Sequence, residues 1–311
     1  MILCVNLNAA MDRTLVVENL APGQVHRVRE VRAVPGGKGA NVAKVVASLG
    51  YPVTGTGLAG GPTGTFIRSG LEALGVRTAY LEVEGESRIC YALVDPVRGT
   101  QTELLEPGPV ISPAEWKAFC RLFRSLVEGA RVVTLSGSLP RGLEPNAYQE
   151  LIHLAQAAGA LTILDTSGEP LRLGLEARPY MVKPNQAEAE ALVGRRFQSP
   201  ADVALAAREL LEGGTAVAVI SLGAQGAVLA NRAGAWQVVP PPVPAANTVG
   251  CGDALVAGFA VGLAQEMPLL EAARLATAAA AAKAERPVPG ECDPAEVRRL
   301  LPLVEVTPID I

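Results

Sequence analysis

The sequence predicts an α/β fold: a three-layer arrangement with a mainly parallel central sheet, plus a small inserted β-sheet. Three observations predict it. Strand-like runs at 2–7, 132–136, 161–165, 180–183 and 216–222 are almost continuously apolar, as strands covered on both faces are. Helical patterns separate these runs, and repeated βα units imply a parallel sheet flanked by helices. Two stretches, 13–34 and 77–105, break the rhythm with shorter, more polar strands and turn residues.

The 311 residues suffice for one large domain with a sizeable core, and 1–311 is expected to form a single domain carrying the two small-sheet insertions. Apolar residues make up 49% and charged residues 19%, which excludes a disordered chain. A net charge of −4 with no basic block argues against nucleic acid as the partner, so an anionic ligand would need locally concentrated positive charge. Cys4, Cys90, Cys120, Cys251 and Cys292 are scattered without a CxxC pair, which suits neither a disulfide framework nor a zinc site and fits a reducing cytoplasm. The N-terminus lacks the basic segment of a signal peptide. The charge-free stretches near 213–231 and 233–252 are broken by Gly, Pro, Ser and Asn, so no membrane span is expected.

Taken in order, the first strand leads through Asn6 and Asn8 to Asp12, by itself a turn aspartate. The polar strands of 13–34 contain Arg27 and would form a lid or a dimer surface with those of 77–105. Pro35-Gly36-Gly37-Lys38-Gly39-Ala40-Asn41 opens a helix over 40–49 with Val42, Val45, Val46 and Leu49 on one face. Its glycines allow close approach to a ligand, with Lys38 and Asn41 as donors, although a flexible turn would look the same. It is neither a Walker A loop nor a GxGxxG turn. Arg88 opens a strand of the second insertion, where a solvated edge charge is the default.

A helix over 113–128 precedes the 132–136 strand, whose end carries Ser136-Gly137-Ser138-Leu139-Pro140. Ligands of α/β proteins bind beyond the carboxyl ends of strands, though an ordinary turn also fits. A helix over 145–158 and two strands follow. Lys183-Pro184-Asn185-Gln186-Ala187-Glu188 has capping-box spacing at Asn185 and Glu188, which can act as a cap or stand near a magnesium nucleotide, with Glu188 reaching the ion through water. Helices are expected over 186–193 and 201–212. Ser221-Leu222-Gly223-Ala224-Gln225-Gly226 reads as a hairpin-type connection.

The most informative segment is Asn247-Thr248-Val249-Gly250-Cys251-Gly252-Asp253, which runs into the apolar stretch ALVAGFAVGLA. Such a stretch is a buried helix, and the alanine run at 278–282 is read as another helix packed closely on its neighbours. The N–H groups at a helix start attract anions, and an aspartate beside them needs a task. Removing a proton from a hydroxyl that attacks a phosphoryl group is one.

Together these residues resemble the PfkB (ribokinase-like) carbohydrate kinase family over nearly the whole chain. GGKGANVA at 36–43 and NTVGCGDALVAG at 247–258 resemble its two signatures. GGPTGTF at 60–66, SGSLP at 136–140, KPNQAE at 183–188 and SLGAQGA at 221–227 fall in family order. Asn8-Ala9-x-Met11-Asp12, Ser87-Arg88 and TELLEPGP at 102–109 are most similar to the branch acting on phosphorylated ketohexoses, with Cys90 and Leu105 where that branch commonly has asparagines.

The resemblance implies ATP and Mg²⁺ as cofactors, Asp253 as base, and the N–H groups of Gly250, Cys251 and Gly252 as an anion hole. It implies Asp12, Gly37 and Asn41 on the sugar hydroxyls, and Lys38, Arg88, Ser138 and Arg27 around the sugar phosphate. It puts Lys183, Asn185, Ser221, Gly223, Gly226 and Asn247 on the ATP side, with Glu188 towards the metal. The expected activity is 1-phosphofructokinase; tagatose-6-phosphate kinase and minor 6-phosphofructokinase are alternatives. A ribokinase or nucleoside kinase does not need the charge of Arg88, and a non-catalytic sensor does not need Asp253. A homodimer through the small sheet is also expected.

Overall fold

The computed structural model describes residues 1–310. The chain begins with β1 (Ile2–Asn6), β2 (Ala10–Val16), β3 (Glu30–Gly36), α1 (Lys38–Ser48), β4 (Val53–Ala59), α2 (Gly61–Ala73), β5 (Arg77–Glu82), β6 (Arg88–Asp95) and β7 (Thr100–Leu105). It continues with α3 (Pro113–Val127), β8 (Val132–Ser136), α4 (Ala147–Ala157), β9 (Leu161–Asp165), α5 (Gly168–Glu176), β10 (Met181–Val182), α6 (Gln186–Val193), α7 (Pro200–Glu212) and β11 (Val217–Ser221). The last elements are β12 (Ala227–Asn231), β13 (Gly234–Val239), α8 (Cys251–Ala264), α9 (Leu269–Ala284), α10 (Pro294–Leu300) and β14 (Glu305–Ile309).

The expected α/β architecture is observed. Ten strands form one sheet in the order β14-β13-β12-β11-β10-β9-β8-β1-β4-β5. From β11 to β5 every pairing is parallel; β12, β13 and β14 add an antiparallel edge. One core joins α1, α2, α8, α9 and α10 to one face of the sheet, and a second joins α3 to α7 to the other. The apolar strand runs make this necessary, because β1 and β8 have no face exposed to water.

The small sheet, β3-β2-β6-β7, stands apart. Residues 77–82, expected among its strands, instead pair in parallel with β4 as an edge of the large sheet. The half-buried Tyr80 and Leu81 pack against its two cores, which local polarity did not reveal. Two elements without a clear sequence pattern also appear. β4 is interrupted by Gly55 and Gly57, and α2 contains Gly64 and Gly70, so neither shows a simple period.

α8 and α9 explain the alanine run. A Cβ on Gly258 would lie 2.3 Å from Cα of Ala276, and one on Gly262 2.5 Å from Cβ of Ala272. Small residues on both helices therefore permit an approach that larger ones would block. α8 is buried along almost its whole length, and its N-terminus emerges at the carboxyl ends of the parallel strands. Strand order reverses at β1, whose neighbours are β4 and β8; such a switch point opens a crevice. Among the described residues, no helix is long and apolar enough to cross a membrane.

Candidate active site

A cavity of about 1170 Å³ lies at these strand ends, between the sheet, the N-terminus of α8 and the small sheet. Strand ends deliver Asp165 from β9, Lys183 after β10 and Ser221 from β11; β2 and β6 deliver Asp12 and Arg88. The turn before α1 delivers Gly37, and α1 itself delivers Lys38 and Asn41.

That turn is built from glycines for steric reasons. A Cβ on Gly36 would sit 2.1 Å from Cγ of Asp12, and one on Gly39 2.3 Å from the backbone oxygen of Val5. Gly37 has a positive φ of 88°. The glycines thus let α1 start against β1 while Asp12 lies across the turn.

Asp253 is the buried centre of the site. Nδ2 of Asn41 donates to its Oδ2 at 2.8 Å. Burial pushes the Asp253 carboxyl up to about 6, and the negative charge of Asp165 adds to that; Lys38, the Asn41 hydrogen bond and Lys183 oppose it. Asp12 is also pushed up by burial, against the attraction of Lys44 and Arg88.

Asp165 was missed from the sequence, where it merely ended an apolar strand run. It is 1% exposed; its Oδ1 accepts a hydrogen bond from Nζ of Lys38 at 3.2 Å and forms an ion pair with Nζ of Lys183, also at 3.2 Å. Its Oδ2 is buried without a protein partner. Burial acts to lower the pKa of Lys38, but Asp165, Asp253 and Glu188 outweigh it and hold the ammonium above its ordinary value. Lys38 therefore remains charged among three carboxylates.

Gly250 caps α8 in the left-handed region, with φ 86° and ψ 1°. Of the three expected anion-hole donors, the Cys251 N–H is already committed, since it donates to the Thr248 oxygen at 3.2 Å. The N–H groups of Gly250, Gly252 and Asp253 make no such bond within the protein. Burial raises the Cys251 thiol pKa, so the helix start does not make it a reactive thiolate.

A second cavity of about 250 Å³ adjoins the first, sharing Lys38, Arg88 and Leu105, and contains Ser138 and Glu188. Asn8 organises it: Nδ2 donates to Oγ of Ser138 at 3.2 Å, while its backbone oxygen accepts from Nε of Arg88 at 3.2 Å.

The remaining expected residues divide. Asn185, Gly223, Gly226 and Asn247 line the large cavity. The Asn247 amide is occupied, however, donating to the Pro287 oxygen at 2.8 Å and accepting from Val249 N–H at 2.9 Å, so it shapes the loop. Asn185 and Glu188 form the capping box that their spacing suggested, at 2.9 and 2.8 Å. Arg27 is exposed between β2 and β3 and lines neither cavity; within one chain it is not brought to the site. Its basic side chain was the only sequence signal, and charge alone does not fix position.

For a metal, no cluster of three or more acidic, histidine or cysteine ligands occurs among the described residues. Mg²⁺ does not require one, because it keeps waters and binds one or two carboxylates together with substrate phosphates. Glu188, whose Oε2 serves the cap, and the unpartnered Oδ2 of Asp165 fit that limited demand.

Known proteins match this chain over its length. A family model described as "pfkB family carbohydrate kinase" matches residues 1–296. The 1-phosphofructokinase of Rhodobacter capsulatus is 42% identical over 275 residues, covering 88% of this chain and 87% of its own. That of Bacillus subtilis is 34% identical over 307 residues, covering 99% of both. The crystal structure of phosphofructokinase-2 from Escherichia coli in complex with fructose-6-phosphate has 32% identity and a TM-score of 0.89, covering 97% of this chain and 98% of that one.

Proposed function

The chain belongs to the pfkB family of carbohydrate kinases, phosphotransferases that use ATP, and we propose that its acceptor is a phosphorylated ketohexose, fructose 1-phosphate, converted to fructose 1,6-bisphosphate. One observation carries the choice of a phosphorylated acceptor. Lys38 and Arg88 line the large cavity and also the small one beside it, which contains no residue of the α8 start, so a second cationic pocket adjoins the anion-binding start of α8. A neutral sugar does not need that second cationic site.

In this proposal Asp253 takes the proton from the attacking hydroxyl. With its pKa near 6 it is mostly ionised at neutral pH, yet more basic than an ordinary carboxylate. Asn41 holds one of its oxygens and so aims the other. The unpaired N–H groups of Gly250, Gly252 and Asp253 face charge developing on the transferred phosphoryl group, with little reorganisation needed. Asp12, Gly37 and Asn41 bind sugar hydroxyls; Arg88, Lys38 and Ser138 bind the existing phosphate. Lys183, Asn185, Ser221, Gly223 and Gly226 border the nucleotide. Glu188 and Asp165 would help to hold Mg²⁺, which would supply neutralisation of nucleotide phosphate charge.

The small sheet supports a homodimer. Strand alternation gives Leu15, Val31, Leu93 and Leu104 one common face, and Val31 and Leu104 are half exposed. In such a dimer Arg27 would have a route to a site that it does not reach within its own chain. The five cysteines are unpaired thiols, in keeping with a cytoplasmic setting.

Fructose 6-phosphate is the second reading, favoured by the Escherichia coli relative crystallised with it. Equal concentrations of fructose 1-phosphate, fructose 6-phosphate, tagatose 6-phosphate and ribose, assayed with Mg-ATP, separate the choices. The expected result is the highest kcat/KM with fructose 1-phosphate. Preference for ribose would overturn the phosphorylated-acceptor assignment.

A further inference from the structure

Two buried lysines have no part in the chemistry described so far. Lys283, on α9, is 0% exposed, and its Nζ donates to the Asn247 oxygen at 2.8 Å and to the Arg286 oxygen at 3.2 Å. Lys44, on α1, is 6% exposed, and its Nζ donates to the oxygens of Pro35 and Pro289, both at 2.8 Å. Their four acceptors are backbone carbonyls. Segment 286–290 is gripped from both sides: Lys283 ties it to the turn before α8, and Lys44 ties it to the glycine turn before α1.

We propose that Lys283 is a positioning residue for phosphoryl transfer, a fixed internal cation that holds the turn preceding α8 so that its N–H groups face the transferring phosphoryl group. The inference rests on the kinase reading above. Lys44 is its counterpart on the sugar side.

The turn needs such a hold because its own backbone is permissive. Gly250 ends it at a positive φ, and Gly252 follows in the first turn of α8. Its remaining anchors are few. Ala246 and Asn247 donate to the Ala284 oxygen at the end of α9, and the Asn247 amide bridges Val249 and Pro287. A trans peptide carries C=O and N–H on opposite sides. With the Asn247 oxygen drawn inward to Lys283, the Thr248 N–H is turned the other way.

Packing tightens the arrangement. A Cβ on Gly250 would lie 3.5 Å from Cε of Lys283 and 3.4 Å from the Gly290 nitrogen. One on Gly290 would lie 2.3 Å from Cε of Lys44. Burying an ammonium is costly unless its donors find acceptors, and an apolar side chain would fill the same space without that cost. The charge therefore has an electrostatic use. Burial lowers the pKa of Lys283 below its ordinary value; Cys251, Glu291 and Asp253 oppose that and favour the charged form, while Lys44 is a like charge within its range.

The test starts with Lys283→Met, which retains volume and removes charge. The expected result is a kcat lowered by about 10- to 100-fold, with the calorimetric Kd of fructose 1-phosphate changed by less than about threefold. The acid limb of its kcat/KM profile should move to higher pH, because Asp253 loses a nearby cation. In Lys283→Ala, ammonium or methylammonium should restore part of kcat, and tetramethylammonium at equal ionic strength should not. A kcat within twofold of the parent would overturn the proposal. So would a loss that shifts no pH limb and responds to no amine, since that marks a purely structural side chain.

If these variants do not fold, ¹⁵N-lysine NMR of the parent decides instead. A slowly exchanging ammonium signal should shift when ADP, fluoroaluminate and fructose 1-phosphate bind together; unshifted lysine signals would overturn the proposal. A parent enzyme that phosphorylates no sugar phosphate refutes the kinase reading itself, a result distinct from any of these.

Discussion

Asn41 and Asp253 stand 212 positions apart in the chain and share a buried 2.8 Å hydrogen bond from Nδ2 to Oδ2. The bond joins the first turn of α1 to the first turn of α8, and thereby the sugar side of the site to its phosphoryl side. It also favours the ionised form of a carboxylate that burial and Asp165 work to neutralise.

Replacing Asp253 by Asn should lower kcat by about 10²- to 10⁴-fold, the range expected for a positioned general base. Sugar-phosphate affinity, read by calorimetry, should be largely kept. Unchanged turnover would show that another group takes the proton.

The same substitution should stabilise the fold at neutral pH. The folded pKa of Asp253, about 6, lies above its usual 3.8, so the native state holds the proton more tightly than the unfolded chain. Stability from this group accordingly falls as pH rises from about 4 through 6, and the penalty is complete above that window. Its upper bound is about 3 kcal/mol. Asp253→Asn should melt higher than the parent at pH 7.5, with the difference shrinking towards pH 4.

The pH profile of kcat/KM should fall on the acid side near pH 6 as Asp253 takes up a proton. Asp165→Asn removes a like charge, and the limb should move to lower pH. Asn41→Ala removes a bond to the carboxylate, and it should move to higher pH. Steady-state rates between pH 5 and 8 read both shifts, and displacements of the opposite sign would contradict the electrostatic account.

Arg88→Ala should raise KM for the sugar phosphate at least about tenfold, as expected on losing a charge-assisted phosphate contact, and leave KM for ATP nearly unchanged. Arg88→Lys should recover only part, because an ammonium lacks the bidentate fork. Equal effects on both substrates would remove the residue from the sugar-phosphate site.

Gly36→Ala should damage sugar binding more than stability. The new methyl would fall 2.1 Å from Cγ of Asp12, a side chain that can be pushed aside, so displacement of Asp12 is the expected response. A raised KM for the sugar phosphate with a melting temperature close to the parent's is the outcome to look for.

By itself, the sequence determined the βα alternation, the small-sheet insertions, the glycine turns and the aspartate at the start of α8. These are local: periodicity reports burial of a strand or helix, and glycine marks backbone that other residues cannot follow. The capping box at Asn185 and Glu188 was legible for the same reason. Only the tertiary structure decided which distant groups meet. It joined Asp165 to Lys38 and Lys183, buried Lys44 and Lys283 against carbonyls, committed the Cys251 N–H to Thr248, and left Arg27 outside its own chain's cavity. It also moved β5 into the large sheet. Those outcomes depend on strand order and on burial, which set distance and dielectric together, and neither is encoded within a short window of residues.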